Sequence, residues 1–146
     1  IIGGSFLGNT KGTDTFIASL QEESKGISDS IVFTGFIPYE QIPSYLAMCD
    51  VAVIPSLWED PFPTTILEAM ASGLPIIATN SGGITEACQD YAIIIEKFNI
   101  VNQLTKSLLH LYRNKEDRNG MQINSKYRSK LYSKQSYSSL FYSSIK

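Results

Sequence analysis

The chain has 146 residues, 43% of them hydrophobic, enough apolar matter for the core of one domain. A formal charge of −2 argues against the broad basic surface that non-specific nucleic-acid binding needs. Cys49 and Cys88 make neither a metal-ligand spacing nor a disulfide framework, and no apolar run is long enough to span a membrane.

Both cysteines are expected as small buried hydrophobes in a reducing compartment. With no signal peptide at its start, the chain is expected to be soluble and cytoplasmic, and peripheral contact with the inner face of a membrane stays open. The first residue is Ile1 rather than Met, and it reads as the end of a core strand. The chain is therefore expected to be a piece of a longer one.

Ile1-Ile2 and Gly3-Gly4 read as a strand end and a turn. The two glycines suit a turn at least as well as a phosphate contact. Gly8-Asn9 and Gly12 break the following loop. Thr13 or Asp14 is placed to cap a helix over Thr15 to Ser24, with Phe16, Ile17 and Leu20 inward and Gly26 ending it. Ile31-Val32-Phe33-Thr34 reads as the next strand, with Gly35-Phe36-Ile37-Pro38 at its carboxyl end. There a glycine lets backbone approach a ligand. Phe36 and Ile37 either flank a base or, for Phe36, plug the sheet end. A helix is expected from Tyr39 to Met48, with Ile42, Leu46 and Tyr45 inward.

Val51-Ala52-Val53-Ile54 is a short apolar run rich in β-branched residues and closed by Pro55. That pattern suits a strand covered on both faces of a parallel sheet. A helix follows over Thr64 to Ser72, with Pro63 in its first turn and Gly73 just past its end. Leu74 to Thr79 is a second apolar strand, which completes a βαβ unit. After Gly82-Gly83, a short helix spans Ile84 to Cys88. Its Glu86 lies either near the cleft or in solvent, with solvent slightly favoured. Ala92 to Ile95 is the last strand. Asn99 or Asn102 caps a helix to Arg113, with Ile100, Leu104, Leu108 and Leu111 at helical spacing and His110 off that stripe. Lys115 to Lys130 reads as a polar, basic helix with a solvated face, Met121 and Tyr127 being its few apolar points. Ser133 to Lys146 continues as an amphipathic helix through Tyr137, Leu140, Phe141 and Ile145.

Ligands of open α/β sheets bind beyond the carboxyl ends of the strands. The loop holding Trp58, Glu59 and Asp60 and the loop at Gly82-Gly83 therefore face one crevice. The start of the helix at Thr64 adds free N–H groups and partial positive charge, a seat for phosphate. Glu68 lies one turn along, on the face shared with Thr64 and Thr65. Ile66, Leu67 and Met70 form the opposite face, toward the sheet. An ionised carboxylate accepts hydrogen bonds and donates none, and vicinal sugar hydroxyls offer two donors side by side. Phosphate at the helix start, hydroxyls on Glu68 and a polar group at Asp60 together describe a nucleotide sugar.

Asp60, seven residues, Glu68, then Ala-Met-Ala-Ser-Gly-Leu-Pro-Ile-Ile-Ala-Thr and Gly-Gly-Ile-Thr-Glu resemble the signature of family 4 glycosyltransferases of the GT-B fold. Two positions depart from the family pattern: Asp60 stands where Glu is usual, and Pro63 where Gly is usual. Proline offers no N–H to a donor phosphate. The resemblance implies an α/β fold, a Rossmann-like parallel sheet flanked by helices, with residues 1–146 forming the C-terminal donor-binding half. It implies that the N-terminal acceptor domain is missing, together with one strand whose loop carries an Arg and Lys pair. It also implies that the helices over 115–146 pack toward the absent domain.

The same resemblance implies a retaining transferase that uses a nucleotide diphosphate sugar as substrate, with no metal and no cofactor. Asp60, helped by Glu59, is then the catalytic acidic position against the transferred sugar, and Glu68 holds the ribose. Amides of Phe62, Pro63's neighbours, Thr64 and Thr65 steady phosphate. Gly35, Phe36 and Ile37 lie near the base, and Gly82 and Gly83 line the donor cleft. A cell-surface polysaccharide or a lipid-linked sugar is the expected acceptor, bound through the missing domain, and this piece alone is expected to be inactive. The alternatives left open are a non-catalytic nucleotide-sugar-binding module and another GT-B enzyme such as a phosphorylase or an epimerase. A dinucleotide-dependent dehydrogenase is disfavoured, because no Gly-x-Gly-x-x-Gly follows a strand.

Overall fold

The computed structural model describes residues 15–136 and 138, which fall in two units, Ile1–Ile42 and Pro43–Lys146. Gly3-Gly4, the loop glycines before Thr13 and most of the expected C-terminal helix lie outside the described residues.

In the first unit, α1 spans Thr15–Glu23, close to its expected bounds. Phe16 is 67% exposed rather than inward. A 3-10 segment follows over Lys25–Ser30. Among the described residues Ile31–Thr34 is not a regular strand: Ile31 is extended, and an isolated bridge follows the segment at Gly35. The helix expected over 39–48 is a 3-10 turn at Tyr39–Gln41 followed by a one-turn α2, Ile42–Leu46. Because α2 stops at Leu46, Cys49 falls on an exposed turn and is not buried; its Sγ donates to the Tyr45 carbonyl at 3.4 Å.

The second unit is built on three parallel strands in the order β1-β2-β3: Ala52–Ile54, Ile76–Thr79 and Ile93–Ile95. Val53 pairs with Ile77, and Ile77 with Ile93. All four residues of the central β2 are buried. Its side chains alternate between two cores. Ile76 and Ala78 join Ile66, Ala69 and Met70 of α3 (Thr64–Ala71) and Ile84, Ala87 and Cys88 of α4 (Ile84–Cys88). Ile77 joins Ile95 and Leu111, with Ile100, Leu104 and Met121 against them. These come from β3, α5 (Ile100–Arg113) and α6 (Lys115–Ser129). Helices thus cover both faces, as a parallel sheet requires. Burial pushes the Cys88 thiol up to about 11, in keeping with an inert core cysteine.

The ends of α3 have local causes. Pro63 is its N-cap, one residue earlier than expected, with φ −70° and ψ 118°. At the other end the Gly73 N–H donates to Met70 at 2.9 Å and the Leu74 N–H to Ala69 at 3.0 Å. That pair of bonds is a Schellman closure, and Gly73 adopts the φ of +73° that it needs.

Two helices depart from expectation. Leu108 of α5 is 39% exposed, whereas Leu111 is buried. On α6, Ser125 and Arg128 are buried and Tyr127 is 64% exposed. α6 packs across α3. No helix among the described residues is long and apolar enough to cross a membrane.

Candidate functional site

The loops that follow the three strands meet through specific bonds. Thr79, at the end of β2, donates its hydroxyl to the Ser56 carbonyl at 2.6 Å. Ser81 donates to the Trp58 carbonyl at 2.5 Å, and the Gly83 N–H donates to the Asp60 carbonyl at 2.9 Å. The approach is so close that only glycine fits at two positions. A Cβ on Gly82 would lie 2.1 Å from the Asp60 carbonyl oxygen, and one on Gly83 would lie 1.9 Å from that of Pro61. Gly82 also has φ +50°. The glycines thus seat the β1–α3 loop with their backbones.

Glu59 joins three loops. One carboxylate oxygen accepts the Gly82 N–H and the other pairs with the Lys97 ammonium, from the loop after β3. The bond to Lys97, with that to Gly82 behind it, holds the Glu59 carboxyl below its ordinary value. Asp60 turns back on its own loop, where its Oδ1 accepts the Phe62 N–H at 2.9 Å. That bond is an Asx-turn, and it sets the approach to Pro63.

Among the described residues no side chain caps α3; the Ile66 N–H bonds the Pro63 carbonyl at 3.2 Å, and the N–H groups before it are left for water or a ligand. Thr64 and Thr65 are exposed at that end. Glu68 is partly buried one turn along. Its carboxyl forms no ion pair among the described residues. Burial raises its affinity for a proton above the ordinary value. A carboxylate in this position, stripped of some water and without a cation, has acceptor capacity to spare.

The structure therefore brings together Glu59, Asp60, Phe62, Pro63, Gly82 and Gly83, with Thr64, Thr65 and Glu68 on the adjoining helix. Gly35, Phe36 and Ile37 belong to the first unit; there Gly35 has φ +65°, Phe36 is 76% exposed and Ile37 is buried. Glu86 has an exposed side chain. His110, off the apolar stripe, pairs at the surface with Asp117 at 2.9 Å. Among the described residues, no cluster of three His, Cys, Asp or Glu is placed to hold a metal.

Sequence reasoning missed Lys97, Ser81 and Arg128; Tyr132 reads from the sequence as either part of a tyrosine stripe for binding or, preferably, a packing residue, and its ring packs on Phe62. Lys97 follows the carboxyl end of β3, which was a usable signal. Arg128 and Tyr132 reach α4 from more than 40 residues away, and no local pattern announces that.

Residues 1–128 match the family described as "Glycosyl transferases group 1". YtcC of Bacillus subtilis (strain 168) is 30% identical over 128 residues, covering 86% of this chain and 31% of YtcC. The crystal structure of HepE from Anabaena in complex with UDP superposes with a TM-score of 0.76 at 20% identity, covering 88% of this chain and 34% of that one. Sucrose-phosphate synthase from Thermosynechococcus elongatus gives a TM-score of 0.75 at 25% identity, covering 97% and 38%. The chain thus spans about a third of the length of these relatives.

Proposed function

Because this chain belongs to the family of group 1 glycosyl transferases, we propose that it binds a nucleotide diphosphate sugar as the donor half of a retaining glycosyltransferase. The observation that carries the reading is Glu68: partly buried, without a cation, one turn below the uncapped start of α3. In this reading Glu68 accepts the two ribose hydroxyls. The N–H groups at the start of α3 hold phosphate and stabilise the charge that grows on the leaving diphosphate. Asp60, fixed by the Phe62 amide, meets hydroxyls of the transferred sugar. Glu59 stands beside it, and Gly82 and Gly83 complete that wall of the cleft.

The same fold carries UDP and UDP-glucose in HepE, which supports a nucleotide sugar as the ligand. The acceptor, a glycan or lipid-linked sugar, is then delivered on the face from which the diphosphate departs, with no metal required. Calorimetric titration of UDP, GDP and ADP into the chain and into Glu68→Ala tests the donor site. Two hydroxyl bonds to a carboxylate predict a loss of roughly ten- to a hundred-fold. Equal affinities would remove Glu68 from the site. Sugar transfer by the full-length protein tests the enzyme; binding without turnover would make it a nucleotide-sugar-binding module.

A further inference from the structure

Arg128 is 8% exposed and forms no ion pair among the described residues. Its guanidinium is spent on the end of α4. Nε donates to the Ala87 carbonyl at 3.1 Å, and Nη2 donates to the Glu86 carbonyl at 3.1 Å and to the Tyr132 hydroxyl at 2.9 Å. A cation on the last carbonyls of a helix is favourable, because those groups lack intrahelical partners and carry partial negative charge. The guanidinium also lies 5.2 Å from the centroid of the Tyr132 ring and 5.8 Å from that of Tyr91. The one guanidinium thus holds Tyr132 at its hydroxyl and lies close to its ring, and the hydroxyl in turn donates to the Ala87 carbonyl at 3.4 Å.

The Tyr132 ring meets Phe62 with centroids 5.4 Å apart and planes tilted by 57°. Phe62 is the residue whose N–H closes the Asp60 turn, and it directly precedes the Pro63 cap of α3. The far end of α4 touches the same loop, because its N-cap Gly83 donates to the Asp60 carbonyl. The loop is therefore gripped twice from the α6 side. One path runs through the Tyr132 ring, and the other through α4, whose last carbonyls Arg128 binds.

We infer that Tyr132, seated on Arg128, is a positioning residue for the phosphate end of the donor site. It touches no substrate. It fixes Phe62, and through Phe62 the backbone leading into Thr64 and Thr65. This rests on the donor-binding reading above, and it makes a separate claim about which part of the ligand is affected. Loosening the loop weakens the grip on phosphate and leaves contacts to the ribose and base unchanged.

The test compares UDP, GDP and ADP with their nucleosides, in calorimetric titrations of the chain and of Tyr132→Leu and Tyr132→Phe. The expected result is a preference for diphosphate over nucleoside that narrows roughly two- to ten-fold in Tyr132→Leu, the range set by one aromatic pair. Tyr132→Phe keeps the ring and retains the preference, although Arg128 loses an acceptor. If Tyr132→Leu fails to fold, Phe62→Leu removes the same ring contact from its exposed side and is expected to narrow the preference equally. A preference that survives the loss of the ring pair overturns the positioning role and leaves the donor reading standing. A parent chain that binds none of the three diphosphates overturns both.

Discussion

Glu59 accepts the backbone N–H of Gly82 across the gap between the loops that follow β1 and β2, and Lys97 pairs with the same carboxylate from a third loop. The Glu59 carboxyl is held below its ordinary value, so the sign of its pH effect is fixed. Its contribution is complete above the unfolded value of about 4.5 and is lost as pH falls through the lowered folded value. Following the Gly82 amide proton by NMR is expected to show one titration in that acid window. In Glu59→Gln, which keeps an acceptor but no charge, the amide shift becomes independent of pH over the same range. An amide that ignores pH in the parent chain would break the link between these loops.

Glu68 runs the other way. Burial raises its folded value, so the unfolded chain ionises first as pH rises. Stability is therefore lost from about pH 4.5 upward through the folded value. Glu68→Gln removes that penalty. The variant is expected to melt higher than the parent at neutral pH while binding nucleotide diphosphates more weakly. Stability and affinity moving down together would point to a structural role for the carboxylate.

The glycines give a graded series. Gly83→Ala places a methyl 1.9 Å from the Pro61 carbonyl oxygen, where backbone must shift. A loss of about 3 kcal/mol in chemical denaturation is expected. Gly82→Ala meets both the Asp60 backbone and an unfavourable positive φ, and is expected to be at least as costly. Gly120→Ala in α6 meets nothing within 4 Å and is expected to gain roughly 0.5–1 kcal/mol. Equal effects at Gly83 and Gly120 would contradict the close approach of the two loops.

Ser125 is fully buried, and its hydroxyl has no hydrogen-bond partner among the described residues. Its small size suits a buried position and its polarity does not. Ser125→Ala keeps the small volume and relieves the unpaired hydroxyl, so stability is expected to rise by about 1 kcal/mol. Ser125→Val keeps the apolar character and adds bulk, and is expected to destabilise by roughly 1–3 kcal/mol through overpacking. A stable valine variant would mean that the surroundings of Ser125 are not tightly packed.

The βαβ unit was legible because its signals are local. A β-branched run closed by Pro55, a proline before Thr64 and a glycine at position 73 each act on neighbouring residues, and β1, α3 and β2 follow from them within two residues. Glu68 was legible for the same reason, since a helix period places it on the face of Thr64 and Thr65. Ile31–Thr34 has equal β-propensity but is not a regular strand among the described residues, because strand formation depends on the pairing available as well as on the segment itself. The polar α6 read as solvated, yet it buries Arg128 on carbonyls of α4 that lie 41 and 42 residues away in the chain. Such a bond is chosen by tertiary geometry. The grip of Lys97 on Glu59, 38 residues apart, was hidden likewise.

Pro63 and Gly73 pin α3 at both ends, and this makes the helix a ruler. Glu68 lies four positions after Thr64, about 6 Å along the axis and a little more than one turn. Inserting one residue between them would swing the carboxylate by roughly 100° around the axis and lift it by about 1.5 Å. A chain so measured tolerates exchanges at the exposed positions of this helix but hardly any change in its length.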